Sequence, residues 1–316
     1  MKRLAGLVLL ICLLQSPMSW AQSGPDDHAQ TLGALPSLNV AQIADTLAAP
    51  FGDKKQKARA FYYWITHHIA IDVKATKGND QKKSNPEDVV QLRRATPLGY
   101  SKLFQEMCSQ ANIRCLSVDG YVKNSAEDIE NKADEINHSW NVVQLGQSPT
   151  EWYYVDCAKG SGSLDKQMKV FTPEFTSGYF FADKNLFNLD HYPDNTAWQL
   201  ASSEQTPKGL SDFYRFVYIA PAAFDIGLSK PNPLVGHVRT SIKSATTFNF
   251  RSESLPKKVE IVLESGNKKT KPEEVTTMES GGGTQFKYQF KRDDTYIMSI
   301  LSDGKLILQY LVEATE

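Results

Sequence analysis

Apolar residues along this chain change period several times, and each change predicts an element. Behind Lys2 and Arg3 runs an unbroken apolar stretch, LAGLVLLICLL, followed by Ser19-Trp20-Ala21. That pattern predicts a cleavable secretory leader over residues 1–21, too short and too weakly flanked to serve as a membrane anchor. A lipoprotein reading of Cys12 fails because Ile11 stands where a small residue is needed. Residues 22 to about 52 are polar with scattered small apolar positions, which predicts an arm and a short helix. In DKKQKARAFYYWITHHIAIDV, Asp53 caps a helix whose Phe61, Trp64, Ile65, His68 and Ile69 recur at three-and-four spacing. KATKGNDQKKSNPED then reads as a polar loop. RRATPLGYSKLFQEMC opens the next helix, with Thr96 as cap, Pro97 in the first turn and Leu103, Phe104, Met107, Cys108 and Ala111 on one face. Asn112 is suited to a left-handed stop.

From there the period falls to two. IRCLSVDGYVK, HSWNVVQL and EWYYVDC predict three strands, the last two joined by the turn-rich GQSPT. Helices followed by an antiparallel meander predict an α+β layout, a sheet packed against helices. YFFADKNLFNLDHYPDNTAWQL is aromatic-rich and irregular. Beyond about residue 225, TTFNF, KVEIVL, QFKYQF, TYIMSIL and KLILQYLV are short alternating runs divided by turn residues. They predict a C-terminal β-sandwich of immunoglobulin-like architecture. ESGGGTQ lacks the strand-to-helix setting of a phosphate loop and reads as a hairpin. The expected organisation is therefore a leader (1–21), an α+β domain (22–224) and a sandwich (225–316).

Composition narrows the function classes. Lys and Arg number 35 against 36 Asp and Glu, so neither a nucleic-acid-binding stripe nor an acidic disordered tail is present. No stretch after the leader is apolar enough to span a bilayer, which makes the expected product a soluble exported protein, periplasmic or secreted. Three cysteines follow the leader: Cys108, Cys115 and Cys157. Cys108 and Cys115 are close enough in sequence to bridge in an oxidising compartment, or to serve as small buried apolar side chains. Neither CxxC nor HxxxH spacing occurs, so no metal and no cofactor is expected.

The candidate chemistry lies at the helix start and in the strands. A thiolate at a helix N-terminus is stabilised by free amides and the helix dipole. A histidine takes its proton, and a carboxylate fixes that histidine's tautomer. His138 opens one strand and Asp156 closes the next, so a hairpin brings them side by side.

Five blocks in order, KARAFYYWITHHIAIDVKA, GYSKLFQEMCSQANIRCLSVDGYVK, NHSWNVVQL, WYYVDCAKGSG and YFFADKNLFNLDHYPDNTAWQL, resemble the transglutaminase-like superfamily, in its kyphoscoliosis-peptidase-type branch with a papain-like fold. The resemblance covers about residues 57–200, roughly half the chain, and members of this branch often carry a C-terminal sandwich. It implies His138 as general base and Asp156 as its orienting partner. The family pattern at the helix start is Cys, any residue, Gly, aromatic. Gly99 and Tyr100 match, but Pro97 holds the cysteine position. Thr96 is more simply a cap than a substitute nucleophile, and Ser101 lies further into the helix. Cys108 is eleven residues beyond Pro97, about 16 Å along a helix. Cys157 follows Asp156 in a strand-like run and so points to the other face.

The implied function is that of an inactive homologue: a binding or scaffolding protein holding a peptide, a peptidoglycan stem or a protein partner in the former active-site cleft. Thr96, Tyr100, Trp140, Trp152 and Tyr154 are candidates to line such a groove, with core packing as the alternative for the four aromatic residues. The His–Asp pair has a structural alternative too, as a buried hydrogen-bonded pair. Two other functions stay open: a peptidase or amide transferase using Thr96 or another non-standard nucleophile, and a structural envelope protein acting through the sandwich. For His67, His68 and His191 the sequence names no partner.

Overall fold

The computed structural model describes residues 24–78, 84–148, 151–165 and 167–316. The expected leader lies outside the described residues. Six helices come first: α1 (Pro25–Leu32), α2 (Val40–Ala48), α3 (Lys54–His68), α4 (Val73–Lys77), α5 (Pro86–Leu92) and α6 (Pro97–Gln110). Each boundary has a local cause. The Asp53 carboxylate accepts from Gln56 N to start α3, and Thr96 Oγ1 accepts from Gly99 N to start α6. Asn112, at φ 56°, turns the chain out of α6. The segment read as one polar loop instead carries α4 and α5. Asp72 and Asn85 cap them, and Ala75, Val89 and Val90 are buried, a burial too brief to show as a helical period.

The meander follows as β1 (Arg114–Val122), β2 (His138–Gln144) and β3 (Trp152–Val155); then come α7 (Cys157–Ser161), α8 (Lys184–Asp190) and β4 (His191–Pro193). They form an antiparallel sheet in the order β3-β2-β1-β4. EWYYVDC is thus a strand only to Val155; Asp156 caps α7 by accepting from Lys159 N at 2.9 Å. Helix α6 packs against β1 and β2, and its Tyr100, Leu103, Phe104, Met107 and Cys108 are buried.

Gly120 holds a tight crossing in β1. A Cβ there would lie 2.3 Å from Tyr192 O and 2.6 Å from the Trp140 ring. Gly120→Ala is expected to cost about 2–3 kcal/mol, because backbone of β4 must shift. A thermal melt at the wild-type midpoint would contradict this.

The C-terminal strands are β5 (Ser229–Asn232), β6 (His237–Ser241), β7 (Thr246–Arg251), β8 (Val259–Ser265), β9 (Thr277–Ser280), β10 (Gly283–Tyr288), β11 (Asp294–Ser302) and β12 (Lys305–Thr315). One sheet runs β5-β7-β10-β9. The other has β6-β12-β11-β8 as its main strands, with β6 parallel to β12. Buried residues of both sheets share one hydrophobic core with the helical part, and the Phe248 and Tyr310 rings meet at 5.2 Å. The larger sheet also reaches back to Tyr218–Ile219, which pair with β12.

Candidate functional site

Register brings the two predicted residues together. Strand β2 pairs with β3 as Asn141↔Val155. Continuing by one residue sets Asp156 opposite Trp140, diagonal to His138 on the same face. The contact is direct: His138 Nε2 and Asp156 Oδ2 are 2.6 Å apart and buried. The second carboxylate oxygen caps α7, so strand end and helix start both orient Asp156.

A third residue completes the group. His191 opens β4 opposite Val122 and places its Nε2 2.9 Å from the same Asp156 Oδ2. Its ring stacks on Phe187 at 3.8 Å between centroids, and its Nδ1 lies 3.2 Å from Asp190 Oδ2. Asp190 in turn accepts from the Tyr179 hydroxyl at 3.0 Å and faces Lys159 Nζ at 3.9 Å. A buried chain therefore runs His138–Asp156–His191–Asp190–Lys159.

The charges follow from this geometry. Burial would raise the Asp156 carboxyl, but the two imidazoles outweigh burial and hold it far below the ordinary range. Burial lowers His138 despite Asp156, which keeps its imidazole neutral near pH 7. His191 moves the other way: Asp190 and Asp156 overcome burial and raise it. With Nε2 donating to Asp156, the Nδ1 of neutral His138 is the basic atom left for chemistry.

His138, Asp156 and His191 offer ligand atoms within 4.8 Å of one another, a set of the kind that takes a divalent cation. The 2.6 and 2.9 Å contacts already join those atoms directly, and we read the cluster as a hydrogen-bonded relay.

A cleft of about 590 Å³ opens over His138. Its wall includes Thr96, Pro97 and Leu98 from the start of α6, Thr76 from α4, and Asp119 from β1. Pro97 and His138 therefore face one space, as the nucleophile and base positions of a thiol site would. Thr96 lines it also, with its hydroxyl engaged by Gly99 N at 3.3 Å. The three cysteines do not line it; all are buried free thiols. Burial pushes Cys108 and Cys157 up, away from thiolate formation. Asp119, which accepts from Ser139 Oγ at 2.6 Å, and Glu135 give the wall two carboxylates, and neither Lys nor Arg is among its described residues.

The four aromatic candidates lie elsewhere, and the groove-lining expectation for them is corrected. Tyr100 is buried, its hydroxyl donating to Ile69 O and accepting from Ser161 Oγ. Trp140 is buried against Phe187 and His191. Trp152 meets Trp198 edge-on at the far end of the hairpin. The Tyr154 hydroxyl accepts from Leu200 N and has its one proton within reach of Asn188 Oδ1 and Trp198 O, at 2.8 and 2.7 Å. Their apolar rings are worth more in the core than at a wet cleft wall.

Residues 41–157 match the family model described as the transglutaminase-like superfamily. The chain is 32% identical over 215 residues to kyphoscoliosis peptidase of Mus musculus, covering 67% of this chain and 32% of that protein. For kyphoscoliosis peptidase of Homo sapiens the identity is 32% over 192 residues, covering 60% and 28%. For the Lim and transglutaminase domain protein ltd-1 of Caenorhabditis elegans it is 28% over 229 residues, covering 67% and 30%. This chain spans about a third of the length of these curated relatives.

Proposed function

The chain belongs to the transglutaminase-like superfamily through residues 41–157, and from that premise we propose that it is an exported member disarmed at the nucleophile, which holds a peptide, a peptidoglycan stem or a protein partner in the cleft over His138. The observation that carries this reading is Pro97. It lines the cleft with His138 at the first turn of α6, where the thiol of an active relative would stand. Cys108, Cys115 and Cys157 are buried and do not line the cleft.

Nucleophilic catalysis needs an attacking atom within hydrogen-bond reach of its base. Pro97 has none. Thr96 Oγ1 serves as a helix cap, a role in which its lone pairs satisfy backbone N–H groups. What the cleft retains is a basic imidazole nitrogen and two wall carboxylates, Asp119 and Glu135. That set favours a ligand presenting an N–H or ammonium group, such as the amino-bearing side chain of a stem peptide or a lysine of a protein partner.

Pro97→Cys tests the reading. Wild-type protein lacking residues 1–21 is expected to be silent on a peptide-hydrolysis and amine-incorporation panel. The variant is expected to gain a cysteine alkylated by iodoacetamide at pH 6 at least about tenfold faster than a free cysteine, because His138 stabilises its thiolate. Hydrolysis or transfer by the wild type, lost in His138→Ala, would overturn the inactive assignment. An ordinary alkylation rate in Pro97→Cys would refute the retained-base geometry.

A further inference from the structure

The outer face of the β5-β7-β10-β9 sheet carries a row of side-chain amides set by register. Asn232 of β5 pairs with Asn249 of β7, and Asn249 with Gln285 of β10. Alternation turns them outward: Phe248 and Phe250 flank Asn249 and are buried, as Thr284 and Phe286 are around Gln285. Adjacent strands lie about 4.8 Å apart, so the row offers one amide on each of β5, β7 and β10. Met278 of β9, 51% exposed, stands opposite Gln285 at its end.

This row lies in a hollow. The segment after α8 brings Gln205 over the sheet, where its Nε2 donates to Pro231 O at 3.3 Å. Gln205, the three amides, Lys230 and Arg251 wall a cleft of about 270 Å³ with no carboxylate among its described lining residues. A second hollow of about 570 Å³, bordered by α8, shares Gln205 and Lys230 with it. Neither shares a residue with the cleft over His138.

Amides in the interior behave differently. Asn141 donates to Ser101 O, and Asn188 joins Tyr154 to Ala201 O. Among the described residues, the side chains of Asn232, Asn249 and Gln285 make no hydrogen bond to protein. Each offers two N–H donors and a carbonyl acceptor, the complement of a hydroxyl that both donates and accepts. Lys230 and Arg251 flank the row with two cations and give it a preference for a carboxylate. Over the middle of the row a peptide strand would have only side chains to bind, since β7 and β10 have both backbone edges used; the open edges belong to β5 and β9.

We propose that this cleft is a second binding site, for a carboxylate-bearing oligosaccharide. The amide row reads the hydroxyls, and Lys230 and Arg251 take the acid group. This site is independent of the cleft at Pro97.

The test titrates the whole chain without its leader, by calorimetry and by NMR of the side-chain NH2 groups. Three probes are compared: trigalacturonate, the neutral galactose trimer and a triglutamate peptide. Saturable trigalacturonate binding is expected, with NH2 shifts at Asn232, Asn249 and Gln285 and weaker binding of the neutral trimer. Asn249→Ala with Gln285→Ala is expected to weaken trigalacturonate about tenfold or more. Lys230→Ala with Arg251→Ala, both on the exposed surface, should weaken trigalacturonate and spare the neutral trimer. No saturable binding of either sugar overturns the proposal, as does unchanged affinity in the amide variant. Triglutamate binding as tight as trigalacturonate at the same residues overturns the assignment to sugars.

Discussion

Replacing Asp156 with alanine is expected to remove about 3–5 kcal/mol of stability, the range for breaking a buried ionic group and leaving its partners behind. Asp156 receives His138 and His191 on one oxygen at 2.6 and 2.9 Å, and the α7 amide of Lys159 on the other at 2.9 Å. Alanine strands two buried imidazoles and uncaps a helix. Asp156→Asn keeps the shape and the cap, so it should cost less while removing the charge. The pH dependence has a definite sign. A carboxylate held below its ordinary 3.8 stabilises the fold above that pH and loses this effect as pH falls. His191, raised from 6.5, contributes fully below pH 6.5 and loses its contribution as pH rises through its folded value. His138, lowered from 6.5, acts in the opposite sense and costs stability as pH falls below 6.5. Urea unfolding of wild type and Asp156→Asn should therefore differ most between about pH 4 and 7 and converge in strong acid. A constant difference down to pH 2 would refute the charged relay.

Lys123→Met is expected to stabilise the protein by about 2–3 kcal/mol at pH 7. The Lys123 ammonium is fully buried over the Phe213 ring and donates to Phe213 O at 2.6 Å. Burial, only partly offset by Asp190, pushes its pKa down to about 7 from 10.5. At about 1.4 kcal/mol per unit, that gap costs several kcal/mol at pH 7, and the loss of one hydrogen bond offsets part of the gain on replacement. A base lowered in the folded state is costly below its folded pKa and is relieved as pH climbs toward its unfolded value. The advantage of the methionine variant should thus shrink between pH 7 and 10. If that variant is the less stable at both pH 7 and pH 9.5 in urea, the hydrogen bond and the cation–ring contact outweigh desolvation.

Much of the site is legible in local sequence. Thr96, Pro97 and Gly99 mark a helix start through capping chemistry that acts over four residues. His138 and Asp156 sit at the ends of two alternating runs joined by a short turn, which leaves an antiparallel hairpin as the economical arrangement. His191 was missed for the opposite reason. It comes 35 residues after Asp156, beside a helix of seven residues, and its partners are set by β4 docking on the far edge of the sheet. The one local hint was the pair Asp190-His191 itself, a carboxylate adjoining an imidazole in an aromatic segment. The aromatic residues were misplaced for a related reason. Tyr100, Trp140, Trp152 and Tyr154 have polar edges that suit a groove, yet each finds a backbone, amide, ring or cation partner inside.

By itself, then, the sequence determined the features that depend on nearest neighbours: helix caps and stops, the two-residue period of the strands, and the change to short alternating runs near residue 225. Only the tertiary structure decided which polar groups share a space. The relay from His138 to Lys159 and the amide row of Asn232, Asn249 and Gln285 each draw on elements far apart in the chain. Their pairing is selected by sheet register and by burial of the apolar faces behind them. Those terms belong to the whole fold, because a one-residue slip of its strand would turn His138, Asn249 or Gln285 to the opposite face.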